Sequence, residues 1–594
     1  MPDSLIARDM MLPAIIGRYP SCRKVFDRYG LAGCGGALGP EESLEFFIRA
    51  HRADAARLIP ELEEAARADR LHPAPLEFKP GPADVIYRLF FKAGILTMFT
   101  FGCVLGGINL AVMAARGELA SLDLRAVTWA HAHAQIAGWV MFFVMGFAYQ
   151  AIPRFRFTTL YRPRLATWTL PVMATALSIR TLAEIWISRP AWSSAGRVAG
   201  AAELAVVATF FWIIVKTVRQ SPKTLEWYER FLVTALAWMV AAFAFDLWIF
   251  MASAEVSGYR GWVHFISLYD APWRDVQLLG FAGGMILAVS QRFLPFIYGF
   301  REVPAGTARL VFWIWNLSVA GNIASYSLLV RTRQPLWGVA LELSILGLLA
   351  SIVLLVRAFR LFSARVDPDR SLPFLRAAYG WAIFAAVLLA LLPVYDAVRG
   401  VVFSHAYFGG YRHAFTVGFI SMMIVGVSSK VTPILGGLDP RRLRSLRASF
   451  WLINIGCAMR VVFQILTDSG HWAFPVTALS AWVEVAGLSL WAFDLWHTMN
   501  HRLASRPAPG DVVIAPEAKV LDVVERYPET TQVFLKFGFS MIENPVARQV
   551  FARSISLEQA CRLKHVDRGE FIAALHTAAR NAAKPEELVR ISAH

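Results

Sequence analysis

His133-Ala-Gln-Ile-Ala-Gly138 is followed by Pro153, Asp275-Val-Gln-Leu-Leu-Gly280 by Pro295, and His413-Ala-Phe-Thr-Val-Gly418 by Pro433. The glycine-to-proline distance is fifteen residues in all three places. Forty-two residues beyond each glycine stand Arg180, Asn322 and Arg460; sixty-two to sixty-six beyond stand Glu203, Glu342 and Glu484. A single structural unit used three times accounts for these coincidences together.

The surrounding sequence says what kind of unit it is. Of 594 residues 56% are hydrophobic and 13% aromatic, including 20 Trp and 42 Phe. Between residues 87 and 500 the apolar runs divide into about twelve segments of ~20 residues, the length a bilayer core requires. The expected fold is therefore all-α, a polytopic membrane protein of about 12 transmembrane helices in three pseudo-repeats of four, with small helical soluble domains at both ends. The expected domains are a helical domain over 1–70, a Pro-rich linker over 71–86, the membrane domain over 87–500, a linker over 501–512 and a second helical domain over 513–594.

The net charge of +16 suggests nucleic acid only until its distribution is considered. Arginine and lysine gather in alternate loops: Arg154, Arg156, Arg162 and Arg164; Lys216, Arg219 and Lys223; Arg357, Arg360 and Arg365; Arg441, Arg442, Arg444 and Arg447. About twenty basic residues lie on this side against about ten on the other, the positive-inside asymmetry. The expectation is a bacterial inner-membrane protein with both termini cytoplasmic, the lipid bilayer as its partner and no nucleic acid. Met10–Ile16 is too short for a signal peptide, so the first span serves for insertion. The five cysteines have no paired spacing, and no disulfide framework is expected.

The two ends resemble each other. Arg18-Tyr-Pro is followed by Phe26 and Tyr29-Gly30, and Arg526-Tyr-Pro, at the same distances, by Phe534 and Phe537-Gly538. This pattern is similar to the small N-terminal domain of ScdA-type iron–sulfur repair proteins. That family carries paired cysteines after the glycine, whereas the first copy here keeps only Cys34 and the second has none. A packing module that docks a protein partner is the expectation, with a lone Cys34 that ligates or reacts as the alternative.

Chemistry is expected in the spans. His131 and His133 are two residues apart, about 200° around a helix, and so point to opposite sides. By repeat register His133 matches His413, at the start of the tenth span. Imidazoles inside a membrane are costly unless satisfied, and two on different helices suit bis-axial ligation of a haem iron. Candidate cofactor residues are His131, His133, His405 and His413, with His133 and His413 as the metal ligands; the alternative is a histidine hydrogen-bonded across helices as polar glue. Arg180 and Arg460 are read in two ways. Each could form a buried ion pair, with Glu203 and Glu484 respectively, or hold haem propionates by charge-assisted hydrogen bonds. The glycines, followed two turns later by Gly146, Ala288 and Gly426, permit close helix contact. Gln150, Arg292 and Lys430 are expected to snorkel from the helix ends.

Trp129-x-His131-x-His133-x4-Gly138, with Gly146 and Arg180 beyond, resembles the first signature of the NnrS family. His413-Ala-Phe-Thr-Val-Gly418 through Lys430-Val resembles its second. The resemblance covers roughly residues 85–500. It implies a haem-binding inner-membrane protein acting in nitric oxide metabolism or response, with haem b and copper as cofactors and nitric oxide or quinol as partners. This chain departs from the pattern at Gln135, where the family has an acidic residue. It also has Thr432-Pro-Ile-Leu-Gly-Gly in place of an ending whose histidine would serve copper. The twelve-span plan is also similar to subunit I of haem–copper oxidases, whose second and tenth helices supply the axial histidines. That class needs further histidines on helices 6 and 7, and residues 270–330 contain none. Two alternatives follow: a haem–copper-type oxidoreductase with a non-standard site, or a cofactor-free transporter built from internal repeats.

Overall fold

The computed structural model describes residues 5–31, 36–40, 42–51, 53–71, 82–118, 124–156, 158–363, 369–436, 438, 443–500, 514–527, 529–539, 542 and 555–583. Cys34, Arg365, Arg441, Arg442 and both proline-rich linkers (around His72, Lys79 and Pro507) lie outside the described residues. The chain divides into two compact units, one comprising Met1–Tyr29, Gly35–Lys79 and Arg502–His594, the other Gly30–Cys34 and Pro80–His501.

The larger unit contains twelve long helices among the described residues. They are α1 (Val85–Arg116), α2 (Arg125–Phe155), α3 (Pro163–Ile185), α4 (Pro190–Arg219), α5 (Trp227–Ser253), α6 (Gly258–Tyr298), α7 (Ala305–Thr332), α8 (Pro335–Phe359), α9 (Leu372–Arg399), α10 (His405–Leu435), α11 (Leu446–Leu466) and α12 (Ala473–Asn500). Ten are long and apolar enough to cross a membrane. The other two, α3 and α7, are long enough but more polar, carrying Arg180 and Glu184, and Asn316 and Asn322. The protein is an all-α polytopic membrane protein.

Helices α2, α6 and α10, the three that carry the repeated motif, form the centre. Their apolar stretches are 89%, 83% and 61% buried, against 33–44% for the other apolar helices. Each repeat packs its third helix along its fourth, and each fourth helix meets the first helix of the next repeat: α4 on α5, α8 on α9 and α12 on α1. The last contact closes the ring. Lys92 Nζ donates to Asn500 Oδ1 at 2.6 Å and Arg88 Nη1 to the Met499 carbonyl at 3.0 Å.

The repeated glycines fix the spacing of the inner layer. A Cβ at Gly138 would strike Thr97, one at Gly280 would press on Trp238, and one at Gly418 would strike Trp381. Where that facing residue is tryptophan, its indole N–H needs an acceptor. Trp238 donates to Asn316 Oδ1 at 3.0 Å and Trp381 to Asn454 Oδ1 at 2.9 Å. In the first repeat Thr97 donates instead to the Ala93 carbonyl one turn back, and the position equivalent to the two asparagines is Ala174.

Two expectations change. The sixth helix begins at Gly258 rather than near 272, because the segment up to Asp275 is amphipathic and rich in Tyr, Trp and charge, which hydropathy does not register. Gln150 and Arg292 are buried rather than snorkelling, and Lys430 pairs with Asp369.

The two terminal copies match element by element. Leu12–Arg18, Cys22–Phe26, Leu44–His51 and Ala55–Leu71 correspond to Val520–Arg526, Thr530–Lys536, Leu557–Lys564 and Arg568–Ala583. Isolated bridges join Met11 to Ser43 and Lys519 to Ser556. Gly30 and Gly538, at the same position in each copy, have φ of 99° and 85°, a left-handed conformation that favours glycine. The first helices of the two copies pack on each other. Burial, then the neighbouring Asp69, pushes the Cys22 thiol up to about 12. It is a neutral packing group, not a nucleophile.

Candidate functional site

Immediately after its key residue each central helix winds into a π-helical segment: Ala134–Val140, Val276–Gly283 and Ala414–Ser421. Such segments are rare inside α-helices and cluster at functional positions. The polar residues fixed at their N-terminal edge, His133, Asp275 and His413, each meet a different environment.

His133 is the most enclosed. Its Nε2 lies 3.0 Å from Glu203 Oε1 on α4, and its Nδ1 lies 3.4 Å from both oxygens of Asp246 on α5. The three side chains are 1–2% exposed. Arg180 on α3 is fully buried, donates to Glu184 Oε2 at 2.6 Å and reaches Asp246 Oδ2 at 3.5 Å. Its guanidinium also lies 3.7 Å from the centre of the Phe250 ring. Glu203 Oε2 has no hydrogen-bond partner among the described residues.

His131, turned away by the helical geometry, faces α1. Its Nδ1 is 2.9 Å from the Gly102 carbonyl, which lies at the end of a π-helical segment, Met98–Gly102. His413 Nδ1 is 3.0 Å from the Gly409 carbonyl one turn back. A carbonyl only accepts, so both Nδ1 atoms carry the proton and both Nε2 atoms present a lone pair. No Nε2 partner exists for either ring among the described residues. The two rings and Arg460 on α11 lie within electrostatic range of one another. Arg460 Nε and Nη1 and Glu484 Oε1, all shielded from solvent, have no hydrogen-bond partner among the described residues. Gln135 Nε2 donates to Cys103 Sγ at 3.2 Å on the same side of α2.

The middle repeat carries no histidine here. Asn322 donates to Asp275 Oδ2 at 2.8 Å. Beside it a polar chain runs from Asp246 through Gln277 (3.4 Å) to Arg274 (2.9 Å), on to Asp270 (3.9 Å) and to Arg412 (2.9 Å). Each repeat's polar cluster is thus completed by a helix of the next repeat.

The register therefore assigns the partners differently from the structure. It pairs His133 with His413, whereas it is His131 that lies within electrostatic range of His413; both ring nitrogens of His133 are taken by carboxylates. It pairs Arg180 with Glu203, but Arg180 goes to Glu184 and Asp246 while Glu203 takes His133. Arg460 and Glu484 are neighbours by charge without a hydrogen bond. His405 is exposed in the first turn of α10 and lies two turns from His413. Glu184 and Asp246 escaped notice. Glu184 follows Arg180 by four residues, a spacing that marks an intrahelical pair. Asp246 follows Trp238 by eight, where Trp381 is followed by Leu389 and Thr97 by Leu105, so nothing in the repeat announces it.

No curated protein matches the chain. Residues 514–572 match the family model of a domain of unknown function (DUF1858), so the second end domain has relatives as a module. Residues 85–502, all twelve helices and both histidine clusters, match the family model of the NnrS protein. The chain belongs to the NnrS family.

Proposed function

We propose that this is a haem-binding inner-membrane protein of the nitric oxide response, with haem b held between α2 and α10 by His131 and His413. The observation that carries the proposal is the shared posture of these two imidazoles. Each is oriented by an Nδ1–H donated to a backbone carbonyl, which fixes the tautomer and leaves Nε2 as a ligand, the usual outer-shell arrangement of metal-binding histidine. The residues fit the group in two further respects. Arg460 keeps two N–H groups without partners beside the pair, suited to a propionate. Gly106, where a Cβ would strike the His131 ring, lets that imidazole lie against α1 in the orientation the Gly102 carbonyl fixes. Membership of the family supports the link to haem and nitric oxide, and the basic loops support cytoplasmic termini.

Bound haem, held by His131 and His413, would supply one-electron exchange and a site for a small diatomic ligand. The chain's own part is narrower. The Gly102 and Gly409 carbonyls hold the imidazole tautomers, Arg460 offsets carboxylate charge in an apolar surrounding, and the packed central helices exclude water. The end domains, with no candidate chemistry among their described residues, suit docking of a protein partner.

The test is the visible spectrum and pyridine haemochrome of the purified protein. His131→Ala and His413→Ala should each abolish the six-coordinate low-spin spectrum, and His133→Ala should keep it. A colourless wild type, or a spectrum unchanged in both of the first two variants, overturns the assignment.

A further inference from the structure

We propose that His133, Glu203 and Asp246 form a second site, separate from the haem ligands, for a divalent first-row cation of the Mn2+, Fe2+ or Zn2+ kind. One ligand atom from each of the three lies within 4.8 Å of the others. They come from α2, α4 and α5, so the site ties the first repeat to the second. All three are almost completely buried, where an uncompensated carboxylate is very unfavourable.

No arginine among the described residues pairs with both carboxylates. Arg180 is engaged first by Glu184 at 2.6 Å and touches Asp246 only at 3.5 Å. Among the described residues Glu203 has no guanidinium within ion-pair distance, and its Oε2 has no hydrogen-bond partner although the residue is 1% exposed. That oxygen is an unfilled acceptor within the cluster. A cation between Glu203, Asp246 and one imidazole nitrogen would satisfy it.

The surroundings resemble an outer shell. Gln277 Nε2, at 3.4 Å, and Arg180 Nη2 both donate to Asp246, orienting a ligand as second-shell groups do. Two carboxylates with one imidazole form a borderline-to-hard donor set, suited to Mn2+, Fe2+ or Zn2+ rather than to cuprous copper, which prefers sulfur. The other repeats lack the set. The middle repeat pairs Asp275 with neutral Asn322, and the positions corresponding to Asp246 are Leu105 and Leu389.

The test uses the full chain in detergent, stripped of loosely held metal with a chelator, loaded separately with Mn2+ and Zn2+, desalted and analysed for metal. One non-haem equivalent per chain is expected for at least one of the two ions. Retention should fall at least about tenfold in Glu203→Gln and Asp246→Asn and stay unchanged in His131→Ala. Haem is read independently by absorbance, so loss of haem with metal kept refutes only the haem assignment, and the converse refutes only this one. No retained metal in the wild type, or full retention in both carboxamide variants, refutes the site. Should those variants aggregate, X-ray absorption of the metal-loaded wild type decides. A shell of nitrogen and oxygen with one imidazole supports the site, and a shell without imidazole overturns it.

Discussion

Gly106 has no side chain, and that space admits the His131 ring. A Cβ there would fall inside the imidazole, against Cε1 and Nδ1, whereas a Cβ on the adjacent Gly107 would make ordinary contacts beginning at 3.5 Å. Alanine at 106 must push the ring from the Gly102 carbonyl that orients it, while alanine at 107 leaves it alone. Under the haem assignment, Gly106→Ala should lower the haem-to-protein ratio at least about fivefold, equivalent to about 1 kcal/mol, with Gly107→Ala close to wild type. Equal haem in the two variants would contradict this role for Gly106. At this scale the sequence was informative about which residues matter and less so about whom they meet. The 200° separation of His131 and His133 follows from helix geometry alone, and the two rings do face opposite sides. Which ring lies toward His413 depends on how α2 is rotated in the bundle, which no periodicity reveals.

Single helices are held in place by pairs that vary together across the repeats. Tryptophan at 238 and 381 comes with asparagine at 316 and 454, and threonine at 97 comes with alanine at 174. An indole N–H between helices needs an acceptor, and the asparagine amide is wasted without the indole. Each such bond is worth roughly 1 kcal/mol net, with a range of about 0.6–2 inside a membrane. Trp238→Phe, Asn316→Leu and the double variant therefore form a cycle whose coupling energy, from reversible unfolding in mixed micelles, should be about 1 kcal/mol. A coupling within about 0.3 kcal/mol of zero would show that shape alone holds α5 against α7. The helices themselves, their number and their grouping by four were legible because apolar length and the glycine–proline interval are local properties. The start of α6 was not, because an amphipathic, aromatic helix at a membrane edge has neither a long apolar run nor a turn signal at its true beginning.

In the whole molecule, the ring places each cluster on a seam. His133, Arg180, Glu184 and Glu203 belong to the first repeat, but Asp246 belongs to the second; His413, Arg460 and Glu484 belong to the third, but His131 belongs to the first. Asp246 could not be found by comparing repeats for this reason, since the feature that makes it a partner is the neighbour across the seam and not its own register. The same arrangement separates the two proposed sites physically, because the carboxylate cluster needs only α2 to α5 while the haem pair needs α10 returned to α1 and α2. Dividing the chain between α8 and α9, as fragments 1–364 and 365–594, should therefore split the properties. The first fragment alone is expected to hold the non-haem divalent cation and no haem, having lost His413. Co-expression of both fragments should restore haem, because α8 packs on α9 and α12 on α1 without a peptide link being required at the cut. Haem in the first fragment alone, measured by pyridine haemochrome, would mean that His131 finds its axial partner within the first two repeats, and the seam between the third repeat and the first would lose its assigned role.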